Sequence, residues 1–505
     1  MPPLGSTRIQ LSTAAPHSWT TVNFMHKGSG MKETSVGRAH ASRRAILKAG
    51  AAAGLVGAAG VASAGTAFAE AGSRSYDVIV IGGGFAGVTA ARELKKKGKR
   101  ALILEARNRV GGRAWSSTFS GVPVEFGATW IHPSQTLIWG EVQRLGIARV
   151  DDPNPDYTVF ATESGGYARQ DLAFLEHQDA LLRRFVEGAE QYMPRAYDPF
   201  NRADLLADVD KLTLGDKARQ LRLTTLEQNW VSATTGAYGG GFERGSLTQL
   251  ARWWALCGYN TETFHGINVT RPVGGLSGVI TKLLAESGVP IVYNAPVTKV
   301  ADNGSRVQVT AGGQVYDAGS VVVAVPVNVW NSINFTAGLP AEFGRLSTET
   351  VGVPTAKKIL IQVQGDIGRP LVNGKSGAPL DLVLANTDKS SQGTVLVAFS
   401  VNPNLDANSL SQVQSAISEV LPGTKVLSVK GHDWGKDPYA KGAWTFMRPG
   451  QLLRSLRAVR QPHGRLVFAG SDIATGWAGY VDGAIESGTQ AAAVAVNLSG
   501  AAAVA

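Results

Sequence analysis

The chain reads as an α/β protein, with a Rossmann-like nucleotide-binding domain joined to an α+β domain of mixed sheet and helices. Three observations predict it. The β-branched run Tyr76-Asp77-Val78-Ile79-Val80-Ile81 leads into Gly82-Gly83-Gly84-Phe85-Ala86-Gly87 and then a helical stretch to Lys97. A second short strand, Arg100 to Leu104, ends on Glu105. Near the far end, Arg465 to Ala469 is another short buried strand, followed by the turn Gly470-Ser471-Asp472 and a helix after Gly479. At 505 residues the chain has room for two domains.

The N-terminus reads as an address. Ser42-Arg43-Arg44-Ala45-Ile46-Leu47-Lys48 precedes an uncharged Ala/Gly-rich stretch from Ala49 to Thr66, and Ala67-Phe68-Ala69 supplies a cleavage site before Glu70. The paired arginines give it the form of a twin-arginine signal, so residues 1–69 are expected to be removed on export to the periplasm or beyond. The stretch is too short and too rich in small residues for a stable membrane anchor. Either Met1 or Met31 can be the start. This segment also explains most of the formal charge of +10, since it holds seven Lys or Arg against the single acid Glu33. The remainder needs no nucleic-acid partner. One cysteine, Cys257, excludes internal disulfides and Cys-rich metal sites, and no metal is expected.

The spacing Gly82, Gly84, Gly87 matches the dinucleotide fingerprint. The first glycine permits the tight turn, the second lets backbone approach a pyrophosphate, and the third lets helix pack close to strand. Glu105 follows Gly87 by 18 residues, where a ribose-binding acid is expected. Directly after it, Ala106-Arg107-Asn108-Arg109-Val110-Gly111-Gly112-Arg113 makes a second close-approach loop flanked by Arg107 and Arg113. Cations beside a diphosphate at this point favour FAD over a nicotinamide dinucleotide.

The stretch LEARNRVGGRAWS, Leu104 to Ser116, resembles the flavin-containing amine oxidase superfamily. That resemblance implies a segment under the flavin at Glu125-Phe126-Gly127-Ala128-Thr129-Trp130-Ile131-His132, and a backbone contact to adenine at Asn294-Ala295-Pro296-Val297. It makes the FAD domain discontinuous, over residues 74–150, 268–347 and 430–497. Residues 151–267 and 348–429 are left as the substrate domain. GRLVFAGSDIATGWAGYVDGAIESGTQ, Gly464 to Gln490, is similar to the family's closing signature. The resemblance places Gly470, Asp472, Tyr480 and Val481 at the flavin, with the acid holding a ribityl hydroxyl. Asp472 departs from the usual Glu. The start of the last helix would face the flavin pyrimidine, where its dipole favours an anionic reduced ring.

Three side chains carry the expected chemistry. Trp444, in Gly442-Ala443-Trp444, and Tyr480 resemble the two walls of the family's aromatic cage, whose π faces favour a neutral amine in a dry slot. Ala443 stands where mitochondrial-type monoamine oxidases place the cysteine that bonds to flavin, so the FAD is expected to be noncovalent. Thr355-Ala356-Lys357-Lys358-Ile359-Leu360-Ile361 reads as a strand, with its two lysines on opposite faces. The resemblance assigns Lys358 to a water at flavin N5 and leaves Lys357 facing solvent.

The substrate domain is read as helical and aromatic between Leu172 and Phe264, with Trp230, Tyr238, Trp253, Trp254 and Tyr259. From 348 to 429 it is an antiparallel sheet with one helix, Leu410 to Val420. Bacterial oxidases of nicotine and pseudooxynicotine are the subgroup most resembled, although Tyr480 departs from it toward the monoamine oxidase pattern. The expected partners are a small amine and O2 or another electron acceptor; a homodimer is left open. An L-amino-acid oxidase, which needs an arginine to clamp the carboxylate and could draw on Arg252 or another arginine of the substrate domain, is the first competing reading. A desaturase or porphyrinogen-type enzyme and a non-catalytic flavin protein follow it.

Overall fold

A computed structural model describes residues 75–336 and 338–500, so the export signal and the choice of start lie outside the described residues. The first strand, Ser75–Ile81, is buried along Val78 to Ile81 because parallel neighbours flank it on both edges. Val78–Ile81 pairs in register with Ala101–Leu104 on one side and with Ser320–Val323 on the other. Ile291–Val292 extends the sheet past Leu104, and Leu466–Phe468 joins the far strand in parallel. Strands Val297–Asp302 and Val307–Ala311 add an antiparallel ribbon, with Asn334–Thr336 at the edge, to make eight strands. The continuous apolar runs of the first two strands follow from this environment, since a parallel sheet is covered on both faces.

Helix Phe85–Lys96 lies on this sheet against the last helix, Val481–Gly500. Small residues set their approach. A Cβ on Gly488 would sit 2.2 Å from the Ala86 carbonyl oxygen, so only glycine allows the two backbones to meet there.

The second sheet has seven strands, ordered from Val426–Asp433 through Lys357–Val363, Val395–Ser400, Leu382–Ala385 and Pro370–Asn373 to Tyr157–Ala161 and Tyr167–Gln170. Strand Lys357–Val363, paired on both edges, is buried at all seven positions. Ile359, Ile361 and Val363 pack under helix Leu410–Val420, while Leu360 on the other face packs with Phe126 and Val397. Helices between Leu175 and Gly266 form a third cluster around the wholly buried helix Leu247–Leu256. Strand Val426–Asp433, which spans residue 430, belongs to the second sheet. Among the described residues no helix is long and apolar enough to cross a membrane.

Candidate active site

The nucleotide cradle is built from backbone. Gly82 turns at φ +104°, its N–H donating to Leu104 O. A Cβ on Gly87 would lie 1.9 Å from Gly82 O, so this glycine lets helix press on loop. Gly84 is different, for nothing lies within 4 Å of the position its Cβ would take. It begins a helix with no side-chain cap and no acid in its first turn, which leaves the amides of Phe85, Ala86 and Gly87 for an anionic partner. Gly111 N–H donates to Gly83 O, and Gly112 comes within van der Waals range of Gly84, so the two glycine loops face one another.

Glu105 is buried, its carboxylate accepting from Gly83 N–H at 2.6 Å and from Arg107 N–H at 2.8 Å. Ala106 lies between. The 294–297 segment comes against the same acid, with Ala295 N–H donating to Glu105 O and Asn294 N–H to Arg107 O. That brings Val297 to the nucleoside end. The Arg107 side chain itself pairs with Asp437 at 2.5 Å, so it steadies the loop through residue 437. An open glycine, an uncapped helix and a ribose-height carboxylate together fit a dinucleotide such as FAD.

Beneath the expected flavin, Gly127 is again obligatory, since a Cβ there would meet Arg113 O at 1.9 Å. Ala128 N–H donates to Arg113 O. Arg113 reaches across the site to Ala443 O at 2.7 Å and to Asp472 at 2.8 Å. Asp472 is 1% exposed and also accepts from Val327 N–H and Thr445 Oγ1. The shorter acid therefore works as a tie between three segments, a use that the resemblance did not suggest. Gly470, at φ +153°, donates to Ser487 Oγ and sets the turn into the helix that begins at Val481.

Lys358 is buried. Its ammonium donates to Thr129 Oγ1 at 2.6 Å and Gly127 O at 3.1 Å, with the rings of Trp130 and Phe399 5.5 and 5.1 Å away. Burial pulls its pKa down to about 8, partly against the opposing pull of Glu125. Two of its three donors are engaged, so one is left for a water in the site. Lys357 is a correction. It is not solvent-facing but 3% exposed, donating to Asn402 O at 2.5 Å. Alternation along a strand predicts one wet face only where that face is open, and here helix Leu410–Val420 and the chain near Asn402 cover it.

The aromatic walls are joined by residues the motifs did not reveal. Trp444 Nε1 donates to Tyr238 O, and the ring contacts run Trp444–Tyr238–Trp253–Tyr480 at 6.4, 5.5 and 5.4 Å, each edge-on. Phe399 adds a further edge to Trp444, and Trp477 to Tyr480. Tyr238 and Trp253 had been visible only as members of an aromatic-rich helical region. Arg252, one of the arginines available to an amino-acid oxidase as a carboxylate clamp, is wholly buried and donates to Ala474 O. Ala443 is buried, and burial pushes the Cys257 thiol up to about 12, which leaves it a poor nucleophile. Acid precipitation is therefore expected to release the flavin into the supernatant; yellow colour kept in the pellet would show a covalent bond.

A parallel-sheet nucleotide cradle with two glycine loops, opposite an aromatic slot with a buried lysine, defines an FAD-dependent oxidoreductase. The chain belongs to the flavin-containing amine oxidoreductase family, whose model matches residues 85–496. It is 33% identical over 424 residues to a pseudooxynicotine dehydrogenase of a Pseudomonas species, covering 82% of this chain and 85% of the relative. It is 30% identical over 432 residues to the (S)-6-hydroxynicotine oxidase of Paenarthrobacter nicotinovorans, covering 82% and 97%. The fold matches that of a putrescine oxidase bound to putrescine, with TM-score 0.72 and 24% identity over 84% of this chain and 99% of the other.

Proposed function

We propose that this FAD-dependent amine oxidoreductase takes a small neutral amine carrying an aromatic or heterocyclic group and no carboxylate. The observation that carries the reading is the ring series Trp444–Tyr238–Trp253–Tyr480 together with Arg252 turned away into the core. Rings around the slot stabilise an apolar substrate and disfavour an ionised carboxylate left without a charge partner. The activities for which the pseudooxynicotine and hydroxynicotine relatives are named agree with this class.

The residues divide the work. Trp444 and Tyr480 hold the amine nitrogen between them and keep bulk water out. FAD, when bound, would supply the two-electron acceptor, taking a hydride from the carbon beside that nitrogen. Lys358 holds a water through its remaining donor, and its depressed pKa lets it carry or release a proton near neutral pH. The imine product then takes up water to give a carbonyl compound and an amine. Oxygen or another acceptor restores the oxidised cofactor. The paired arginines Arg43-Arg44 and the Ala67-Phe68-Ala69 site support export through a twin-arginine signal.

Anaerobic mixing with a substrate panel tests the substrate class. Pyridyl- or phenyl-bearing alkylamines should bleach the flavin absorbance, while L-amino acids leave it unchanged. Bleaching by amino acids alone would replace this reading with the amino-acid oxidase one.

A further inference from the structure

Away from the amine slot, a cavity of about 880 Å³ is lined by Gln228, Arg244, Arg448, Arg454 and Ser376. Its arginines are not equivalent. Arg454 is neutralised by Glu342 and Glu349, the latter also lining the cavity. Glu243, at the exposed side, is engaged by Arg219. Arg244 and Arg448 form no ion pair among the described residues, and both donate to the same hydroxyl, Thr350 Oγ1, at 3.3 and 3.5 Å. Two guanidiniums thus sit side by side, and each keeps a buried Nε–H with no acceptor.

Like charges brought together without a counter-charge are unfavourable, and a buried donor without an acceptor adds to the cost. Burial, with repulsion from Arg448 behind it, lowers the Arg244 pKa to about 9. The shared hydroxyl belongs to a β-branched residue at φ +65°, backbone that such residues avoid unless the surroundings hold it. Arg244 also donates to Gly239 O and Phe446 O, so the pair stands behind the Trp444 wall, outside the slot.

We propose that this cavity is a binding site for an oxyanion, a phosphoryl or carboxylate group carried by a metabolite-sized molecule, received by Arg448 beside the charge of Arg244. The Arg448 guanidinium, engaged among the described residues only by Thr350 Oγ1, keeps parallel N–H donors for two oxygens, while Arg244, its Nη groups taken by Gly239 O, Phe446 O, Thr350 O and Gly352 O, adds an unneutralised positive charge beside it. Gln228 and Ser376 add neutral polar contacts at the rim.

Calorimetric titration of inorganic phosphate, and separately of citrate, into the FAD-loaded protein tests it, with ionic strength held constant by sodium chloride. Saturable binding of either anion is expected, weakened at least about tenfold in Arg448→Gln and less in Arg448→Lys. Phosphate alone would assign the phosphoryl source, and citrate alone the carboxylate source. No saturable binding, equal binding by Arg448→Gln, or displacement by chloride at matched strength would overturn the site. Flavin content per chain confirms that the variants are folded.

Discussion

Gly84→Val should give a folded protein that is nearly colourless, whereas Gly87→Ala, the smaller change, should give a protein that barely folds. The contrast follows from where each Cβ would go. At Gly84 the backbone is extended, φ −78° and ψ 177°, a conformation open to any residue, and no protein atom lies within 4 Å. The added side chain then occupies only the space that the cofactor's phosphates need beside the uncapped helix. At Gly87 the new methyl would lie 1.9 Å from Gly82 O and 3.2 Å from Val80 Cγ1, so helix Phe85–Lys96 must lift off the sheet. Overpacking of this kind costs ~1–3 kcal/mol or more, with backbone unable to move aside as a side chain would. Flavin content of purified Gly84→Val should fall at least about tenfold, a loss of ~1.4 kcal/mol or more of binding. Its melting temperature should match that of flavin-stripped wild type, while Gly87→Ala melts well below both. Full flavin content in Gly84→Val would remove this glycine from the pyrophosphate site.

The same two glycines show how far the sequence can be read. Their spacing, the buried run Val78–Ile81 and Glu105 are local features, and each sits where its pattern predicts. Helix Leu410–Val420 is bounded at the expected residues, with Ser409 as its cap. What was illegible depends on distant pairing. Strand Tyr157–Ala161 was not foreseen, and it earns its place only by pairing with Pro370–Val372, some two hundred residues on. Lys357 was misplaced because alternation says which face a residue takes but not what covers that face. The resemblance sets Asp472 at a ribityl hydroxyl but says nothing of its protein partners, Arg113, Thr445 and Val327, drawn from three parts of the chain. Tyr238 and Trp253 complete the aromatic wall by a fold contact that no motif encodes.

Lys358→Met is expected to slow flavin reduction or reoxidation at least about tenfold while leaving the protein as stable as wild type or more so. The first half rests on the position of the ammonium, held by Thr129 Oγ1 and Gly127 O on the segment expected under the flavin. Tenfold corresponds to ~1.4 kcal/mol of transition-state stabilisation, a floor beneath the roughly 100- to 10,000-fold that a positioned acid–base group supplies. The second half follows from its protonation. Burial lowers the folded pKa to about 8, below that of a free lysine, so the unfolded chain binds the extra proton between about 8 and the usual lysine range. Stability contributed by this residue therefore rises with pH through that window, and below it the cost of a buried charge is fully present. Methionine carries no charge and fits beside Trp130 and Phe399, so the cost is lifted at neutral pH. Rapid-mixing traces of both half-reactions, with melting curves at pH 7 and pH 9, separate the two effects. A merely structural lysine would leave both rates unchanged, and that result would end the assignment. In wild type, whichever half-reaction uses the proton should change rate across pH 8, and in Lys358→Met that step in the profile should vanish.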